Sequence, residues 1–130
     1  MDTSLLHQSM PLCELLGMRV VSAAPDEVVL EMDWSPSLCT TAGMLHGGAL
    51  MAFADTSGAV CAFLNLPAGA GTSTIESKTN FTGAVRDGVV TATTRPLHVG
   101  STTIVVETEV RRADGKLAGK VTQTQAVLNR

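Results

Sequence analysis

One carboxylate, Asp55, interrupts an apolar run that has the length and composition of a helix. None of its helical neighbours three and four positions away can pair with a charge: they are Met51, Ala52, Gly58 and Ala59. Burying an uncompensated carboxylate is costly, and burial moves such a group toward the range of a general base or nucleophile. The structural alternative is a kink at residues 55–58, where Asp55 caps a second helical segment.

A second candidate lies at the start of the same helix, where Leu45 is followed by His46, Gly47 and Gly48. The first N–H groups of a helix lack intrahelical acceptors and lie at the positive end of its dipole. Two glycines there let a ligand approach the backbone closely, and an oxygen that gains negative charge during acyl transfer is such a ligand. A permissive turn, with His46 packed or capping, is the structural alternative.

The spacing of the two features has a consequence for assembly. Nine residues of α-helix advance roughly 13–14 Å and turn about 900°, which places Asp55 far from Gly47 and on the opposite face. The two groups therefore cannot meet one substrate within one chain. If both act, the site is shared across a two-fold homodimer.

The remaining patterns predict one α+β domain over residues 1–130, with an antiparallel sheet wrapped around a long central helix at about residues 46–64. A short helix is expected at residues 10–17 and a loop at 35–41. Asp-Gly pairs predict hairpin turns at residues 83–88 and 112–115. The β-rich runs are a hairpin within 18–34 and strands at 72–82, 88–98, 101–112 and 116–128.

Composition limits the classes of function. The net charge is −3 with no run of Lys or Arg, which argues against nucleic acid as a partner. Three unpaired cysteines and the absence of a signal-peptide pattern favour the cytoplasm. Residues 44–66 approach the length of a membrane span, but an Asp at the centre of such a helix costs about 2.5–3.5 kcal/mol, so no membrane partner is expected.

The run from Leu45 to Asp55, LHGGALMAFAD, resembles the signature of the hotdog-fold acyl-CoA thioesterases related to the phenylacetate-pathway enzymes. The resemblance covers about residues 15–128. It implies a sheet wrapped around one helix, dimers joined edge to edge that pair again into tetramers, and an acyl-CoA substrate with no separate cofactor or metal. It also implies that the Gly47 N–H binds the thioester oxygen, while Asp55 acts from the partner subunit as general base or nucleophile. The expected catalytic residues are therefore Asp55, Gly47 and His46.

Further substrate-binding positions follow from the same resemblance. They lie beside the helix start, in the strand after the glycine-rich loop, in an Asn-Phe-Thr-Gly run, and in a PLHVGS stretch: Gly48, Thr40, Ser73, Asn80, Phe81, Thr82, Gly83, His98, Val99, Gly100 and Ser101. Ordinary strand and turn structure is the alternative for each.

Two positions depart from the family pattern. Thr40, six before His46, stands where these enzymes often have Gln or Asn. Ala59, four after Asp55, stands where they often have Ser or Thr. Both changes bear on acyl specificity and on the positioning of water.

Two other functions remain open from the sequence. Hotdog relatives also hydrate or dehydrate acyl thioesters with a His and a carboxylate brought together, but His46 and Asp55 are too far apart along one helix to cooperate directly. A non-catalytic acyl-CoA-binding module on the same fold is the other alternative.

Overall fold

The computed structural model describes residues 1–129, which form a sheet around one long helix. Helices α1 (Thr3–Ser9) and α2 (Pro11–Leu15) precede the sheet, and α3 (Gly47–Leu64) is the central helix. Two short 3-10 turns occupy the loop before α3. The strands are β1 (Arg19–Ala24), β2 (Glu27–Asp33), β3 (Gly71–Phe81), β4 (Val89–Val99), β5 (Thr103–Arg111) and β6 (Leu117–Leu128).

The strands form a single sheet in the order β1-β2-β4-β5-β6-β3, and every neighbouring pair is antiparallel. Inward side chains alternate with outward ones along β2, β4 and β5, as expected for a sheet with one packed face. The inward residues pack on α3. The predicted α+β hotdog fold is therefore confirmed.

Helix α3 is long and apolar enough to span a membrane by length and composition, but it is the core helix of this fold. Its buried face, including Leu50, Phe53 and Val60, lies against the sheet. A polar contact crosses the same interface: Ser57 Oγ lies 2.7 Å from Thr94 Oγ1, so its buried hydroxyl is paired.

The sheet leaves one stripe of α3 uncovered, which we call the open stripe: Met51, Asp55, Ala59 and Phe63, spaced four residues apart. All four are exposed except Ala59, which is half-buried. Residues at this spacing lie on one face of a helix. The prediction that α3 is buried is thus confirmed for half of its 18 residues and wrong for this stripe.

Strand β3 forms one edge of the sheet and is eleven residues long. Its residues 73–78 are all exposed, so both its faces and its outer backbone are open. A long edge strand with unpaired backbone groups is a template for pairing with another strand. The opposite edge, β1, is only six residues long.

Two expectations from the sequence were wrong or incomplete. The Asp-Gly pair at residues 83–88 does not make a hairpin, because β3 pairs with β6 while β4 lies between β2 and β5. Gly88 has the positive φ of +74° that its turn chemistry indicates, but a local turn does not specify the strand's partner. The Asp-Gly hairpin at 112–115 is confirmed. Helix α1, capped by Asp2 Oδ1, was not predicted.

The core predicts a large difference between two leucines in strands. Leu30 in β2 is 0% exposed and Leu97 in β4 is 58% exposed. Leu30→Ala should lower the free energy of unfolding by about 2–5 kcal/mol, because it opens a cavity under the sheet. Leu97→Ala should change it by no more than about 0.5 kcal/mol. Urea unfolding followed by circular dichroism measures both, and equal losses would contradict this description of the core.

Candidate active site

The carboxylate of Asp55 projects from the open stripe and is held by two side chains of the sheet. Gln123 Nε2 on β6 donates to Asp55 Oδ1. Thr74 Oγ1 on β3 donates to the same oxygen at 3.4 Å, and Gln125 Nε2 donates to Thr74 Oγ1 at 2.7 Å. The carboxylate is thus anchored through Oδ1 by partners that lie far away in the sequence.

This arrangement corrects two expectations for Asp55. The side chain is not buried within the chain, because the sheet stops short of the open stripe and leaves Asp55 exposed. It does not cap a second segment, because α3 runs without a break from Gly47 to Leu64. The expectation that no helical neighbour pairs with Asp55 agrees with the observed contacts, both of which come from the sheet.

At the helix start, His46 is the N-cap residue, and its Nδ1 accepts a hydrogen bond from the Gly48 N–H at 2.8 Å. The Gly48 N–H is therefore already used. The N–H of His46 donates to Leu38 O. The next N–H along the chain, that of Gly47, has no acceptor among residues 1–129. Gly47 is thus the open donor at the positive end of α3.

A pocket of about 310 Å³ opens beside Gly47. Its wall is mostly apolar and comes from the loop before α3, the start of α3, the end of β3 and the loop after β3: Thr40, Met44, Leu45, Gly47, Leu50, Phe81, Gly83, Ala84 and Val85. A Cβ at position 47 would lie 3.1 Å from the Phe81 ring, so glycine keeps this entrance open. Predicted residues Thr40, Gly47, Phe81 and Gly83 therefore share one pocket.

The helix geometry sharpens the relation between Gly47 and Asp55. Eight positions separate them, which correspond to about 12 Å along the axis and about 80° around it. The expectation that Gly47 and Asp55 lie on opposite faces is therefore wrong, because nine positions is the spacing from His46 to Asp55 and not from Gly47. Both residues lie beside β3, since Thr74 contacts Asp55 and Phe81 contacts Gly47. The separation along the axis still prevents both from reaching one thioester within one chain.

A bulge in β3 makes this arrangement possible. The register against β6 shifts between Thr74 and Glu76, which inserts Ile75 as an extra residue. Side chains seven positions apart in a regular strand point to opposite faces. The inserted residue reverses that parity, so Thr74 and Phe81 both face α3.

The predicted substrate-binding residues fall into two groups at opposite ends of the sheet. Ser73 pairs with Ala126 of β6, and so does Thr103. Thr103 follows the last residues of β4, His98 and Val99, and the turn at Gly100 and Ser101. The other group lies at the far end, where Asn80 pairs with Lys120: Asn80, Phe81, Thr82 and Gly83, with Thr40 and His46–Gly48 nearby. The fold of a single chain does not bring the two groups together.

A second apolar pocket lies one helical turn beyond Asp55. Its volume is about 230 Å³, and its lining is Met1, Ser9, Met10, Ala59, Val60, Phe63 and Thr72. The sequence reasoning missed it, because α1 and its neighbours form the outer wall and α1 was not predicted. The Asp2 cap signal and Leu6, which is fully buried, could have indicated that helix.

The three cysteines occupy different environments. Burial raises the pKa of the Cys61 thiol to about 11, and the charge of Asp26 adds to the rise. Burial also raises the pKa of Cys13, although a hydrogen bond to Thr56 opposes the shift. Cys39 is half-buried, directly before Thr40.

Comparison with known proteins defines the family. The sequence profile of the Thioesterase superfamily matches residues 42–118, more than half of the chain. The chain belongs to the thioesterase superfamily. It is a thioester hydrolase with a hotdog fold, as the sequence resemblance predicted.

Relatives of this thioesterase include proteins of bacteria and an archaeon. A Saccharolobus solfataricus protein provisionally named an esterase is 34% identical over 107 residues, which cover 82% of this chain and 76% of that protein. The 1,4-dihydroxy-2-naphthoyl-CoA hydrolase of Listeria monocytogenes is 26% identical over 108 residues, which cover 83% and 88%.

Two solved thioesterase structures are similar over nearly the whole chain. A variant of a Pseudomonas aeruginosa thioesterase superposes with a TM-score of 0.91 at 27% identity, covering 98% of this chain and 94% of that one. A Haemophilus influenzae thioesterase also gives a TM-score of 0.91 at 27% identity, with coverage of 99% and 92%.

The cysteine environments predict selective alkylation. Iodoacetamide at about pH 8 should modify Cys39 alone in the folded protein, because the reaction needs an accessible thiolate. All three thiols should react after unfolding, and Cys39→Ser should abolish the reaction of the folded form. Intact-mass spectrometry measures the number of adducts. Rapid modification of Cys61 in folded Cys39→Ser would contradict the assignment.

Proposed function

We propose that this thioesterase hydrolyses acyl-CoA as a homodimer in which Asp55 of one subunit and Gly47 of the other act on the same thioester. The observation that carries the proposal is the presentation of Asp55. Its carboxylate is anchored by Gln123 and Thr74 on the open stripe, beside the outer edge of β3, which pairs with no other strand of residues 1–129. The CoA thioester named for the Listeria monocytogenes relative supports the substrate class.

Antiparallel pairing of β3 with its counterpart in a second copy would complete the site. Asp55 lies near the start of β3, at Thr74, and Gly47 lies near its end, at Phe81. If the two-fold axis passes at Lys78, each Glu76 faces the partner's Asn80. Because Ile75 is the extra residue of the bulge, each Thr74 then faces the partner's Phe81. Each Asp55 then approaches the partner's Gly47, and the two groups of substrate-binding residues meet across the interface.

The exposed apolar side chains along the outer edge of β3 support the binding of a second copy of the chain there. Ile75 is 61% exposed and Phe81 is 56% exposed, and the apolar side chains of the open stripe lie along the same edge. Pairing would satisfy the backbone groups of the edge and cover these side chains. The short β1 offers a much smaller template at the other edge.

The proposed chemistry divides between the two groups. Asp55 either accepts a proton from water, which attacks the thioester carbon, or attacks that carbon itself. The Gly47 N–H donates to the oxygen that becomes negative. In the first route the C–S bond breaks, the proton held by Asp55 passes to the CoA sulfur, and the acyl group leaves as the acid. In the second route the C–S bond breaks as the acyl group joins Asp55 in a mixed anhydride. Water then hydrolyses this anhydride, which releases the acid, restores Asp55 and supplies the proton that the CoA thiolate takes up. The reaction uses no cofactor beyond the CoA of the substrate, and we place it in the cytoplasm.

The apolar pocket beyond Asp55 supports an apolar acyl group. Ala59 lines this pocket one turn from Asp55 and brings no hydroxyl. The only side-chain hydroxyls in the wall are those of Ser9 and Thr72, and Thr72 Oγ1 is engaged by Gln125 Oε1 and Ala126 O. An unsubstituted alkyl or aryl group fits this lining better than a hydroxylated one.

Hydration of an acyl thioester has no specific observation in its favour. His46 uses Nδ1 for the Gly48 N–H, and nine positions of unbroken helix separate it from Asp55.

The role of the Asp55 carboxylate is tested by replacing it with an amide of the same shape. Asp55→Asn should lower kcat on an acyl-CoA panel by about 10²–10⁴-fold, because the amide cannot accept the proton or attack. Thiol release measures turnover, and Asp26→Asn, an exposed acid in the β1–β2 turn, is the control. Undiminished turnover by folded, dimeric Asp55→Asn would refute the mechanism.

The role of the Gly47 N–H is tested by removing this donor alone. Gly47→Pro removes the donor at a position where proline suits a helix, and the extended His46 (φ −62°, ψ 132°) suits a residue before proline. Gly47→Ala keeps the N–H and adds the same Cβ against Phe81. Turnover by Gly47→Pro should be about 10²–10³-fold below that of Gly47→Ala. Equal rates would exclude the Gly47 N–H from the reaction.

A further inference from the structure

We propose that Gln123 is a positioning residue that fixes the Asp55 carboxylate from the sheet side, and that the absence of a side chain at Gly58 leaves the space that the Gln123 amide occupies. The inference rests on the proposed function and adds a residue that the sequence reasoning did not single out. Three groups lie together in this site: the amide of Gln123 on β6, the carboxylate of Asp55 on α3, and Gly58, three positions after Asp55 on the same helix.

Gln123 combines deep burial with a contact to an exposed charge. Its side chain is 1% exposed, whereas Asp55 is exposed within the chain. Nε2 donates to Asp55 Oδ1 and lies 3.3 Å from Thr74 Oγ1. Hydrogen bonds to an ionised group are stronger than neutral ones. A buried, immobile donor therefore holds one carboxylate oxygen and leaves Oδ2 for the reaction.

Gly58 is matched to this amide. A Cβ at position 58 would lie 1.8 Å from Gln123 Oε1 and 2.9 Å from its Cδ, so any other residue would displace the side chain. A glycine inside a helix costs about 0.5–1 kcal/mol relative to alanine. Gly58 has a helical conformation, so backbone geometry does not demand glycine there. The close approach of the Gln123 side chain is what requires glycine at position 58.

The amide is poorly explained by stability alone. Gln123 Oε1 is buried and has no hydrogen-bond partner within residues 1–129. A buried acceptor without a donor is destabilising, and an apolar side chain of the same shape avoids that cost. Effects on stability and on turnover should therefore separate when the amide is removed, which a packing role would not produce.

The main experiment replaces the amide by a side chain of similar shape. Gln123→Met should lower kcat for acyl-CoA by between about 10- and 100-fold, since a misplaced reacting group loses rate steeply. KM should stay within about twofold, since Gln123 does not line either pocket. Tm should not fall, since the substitution removes a buried acceptor that has no donor. Thr122→Val, an exposed neighbour on β6, is the control. Wild-type kcat in folded Gln123→Met would overturn the proposal.

A second pair of variants tests the match with Gly58. Gly58→Ala should lower kcat by pushing the amide away from Asp55. Adding Gln123→Val gives the new methyl group space, so the double variant should regain stability without regaining turnover. Recovery of wild-type turnover in the double variant would show that the amide is not needed, and would also overturn the proposal.

A third measurement does not depend on activity. In nuclear magnetic resonance spectra, the side-chain NH₂ signals of Gln123 should move as the Asp55 carboxylate titrates, and should be insensitive to pH over the same range in Asp55→Asn. Wild-type protein that releases no thiol would refute the proposed function, and the amide signals would still decide whether Gln123 holds Asp55. Signals that do not move in the wild type would overturn the inference.

Discussion

The six strands cover only part of the apolar helix α3. The position of Asp55 and the proposed pairing of two chains both depend on the part that is left open. The open stripe of α3 and the unpaired edge of β3 lie side by side, so apolar surface and unsatisfied backbone are concentrated along one seam. Exposed apolar surface is costly in water, and an open strand edge is a template for pairing with another strand. A second copy of the chain relieves both together, and Asp55 lies in the middle of the seam.

The same seam explains how a short chain can separate two chemical tasks. The Gly47 N–H takes its character from the helix terminus, and Asp55 takes its position from β6 and β3, about 12 Å further along the axis. The bulge at Ile75 turns the partners of both groups toward α3. Because antiparallel pairing exchanges the ends of β3, separation within one chain becomes proximity between two.

Much of this could be predicted from the sequence, because the strong signals are local. Neighbouring residues were enough to predict the apolar helix α3, its start at His46–Gly48 and the turn at 112–115. The partners of Asp55 were not, because Gln123 follows it by 68 positions and meets it only when β6 folds beside the helix. The crossover after β3 was missed for the same reason, and α1 because its seven residues bury only Leu6.

The shared site is tested most directly by complementation between two inactive chains. Asp55→Asn and Gly47→Pro chains carrying different tags are co-expressed, and the heterodimer is purified. It should contain one site with an intact Gly47 and an intact Asp55 and one site with neither, so thiol release per dimer should reach about half of the wild-type rate. If the heterodimer remains as inactive as its parents, each chain works with its own groups and the account of a site shared between subunits is wrong.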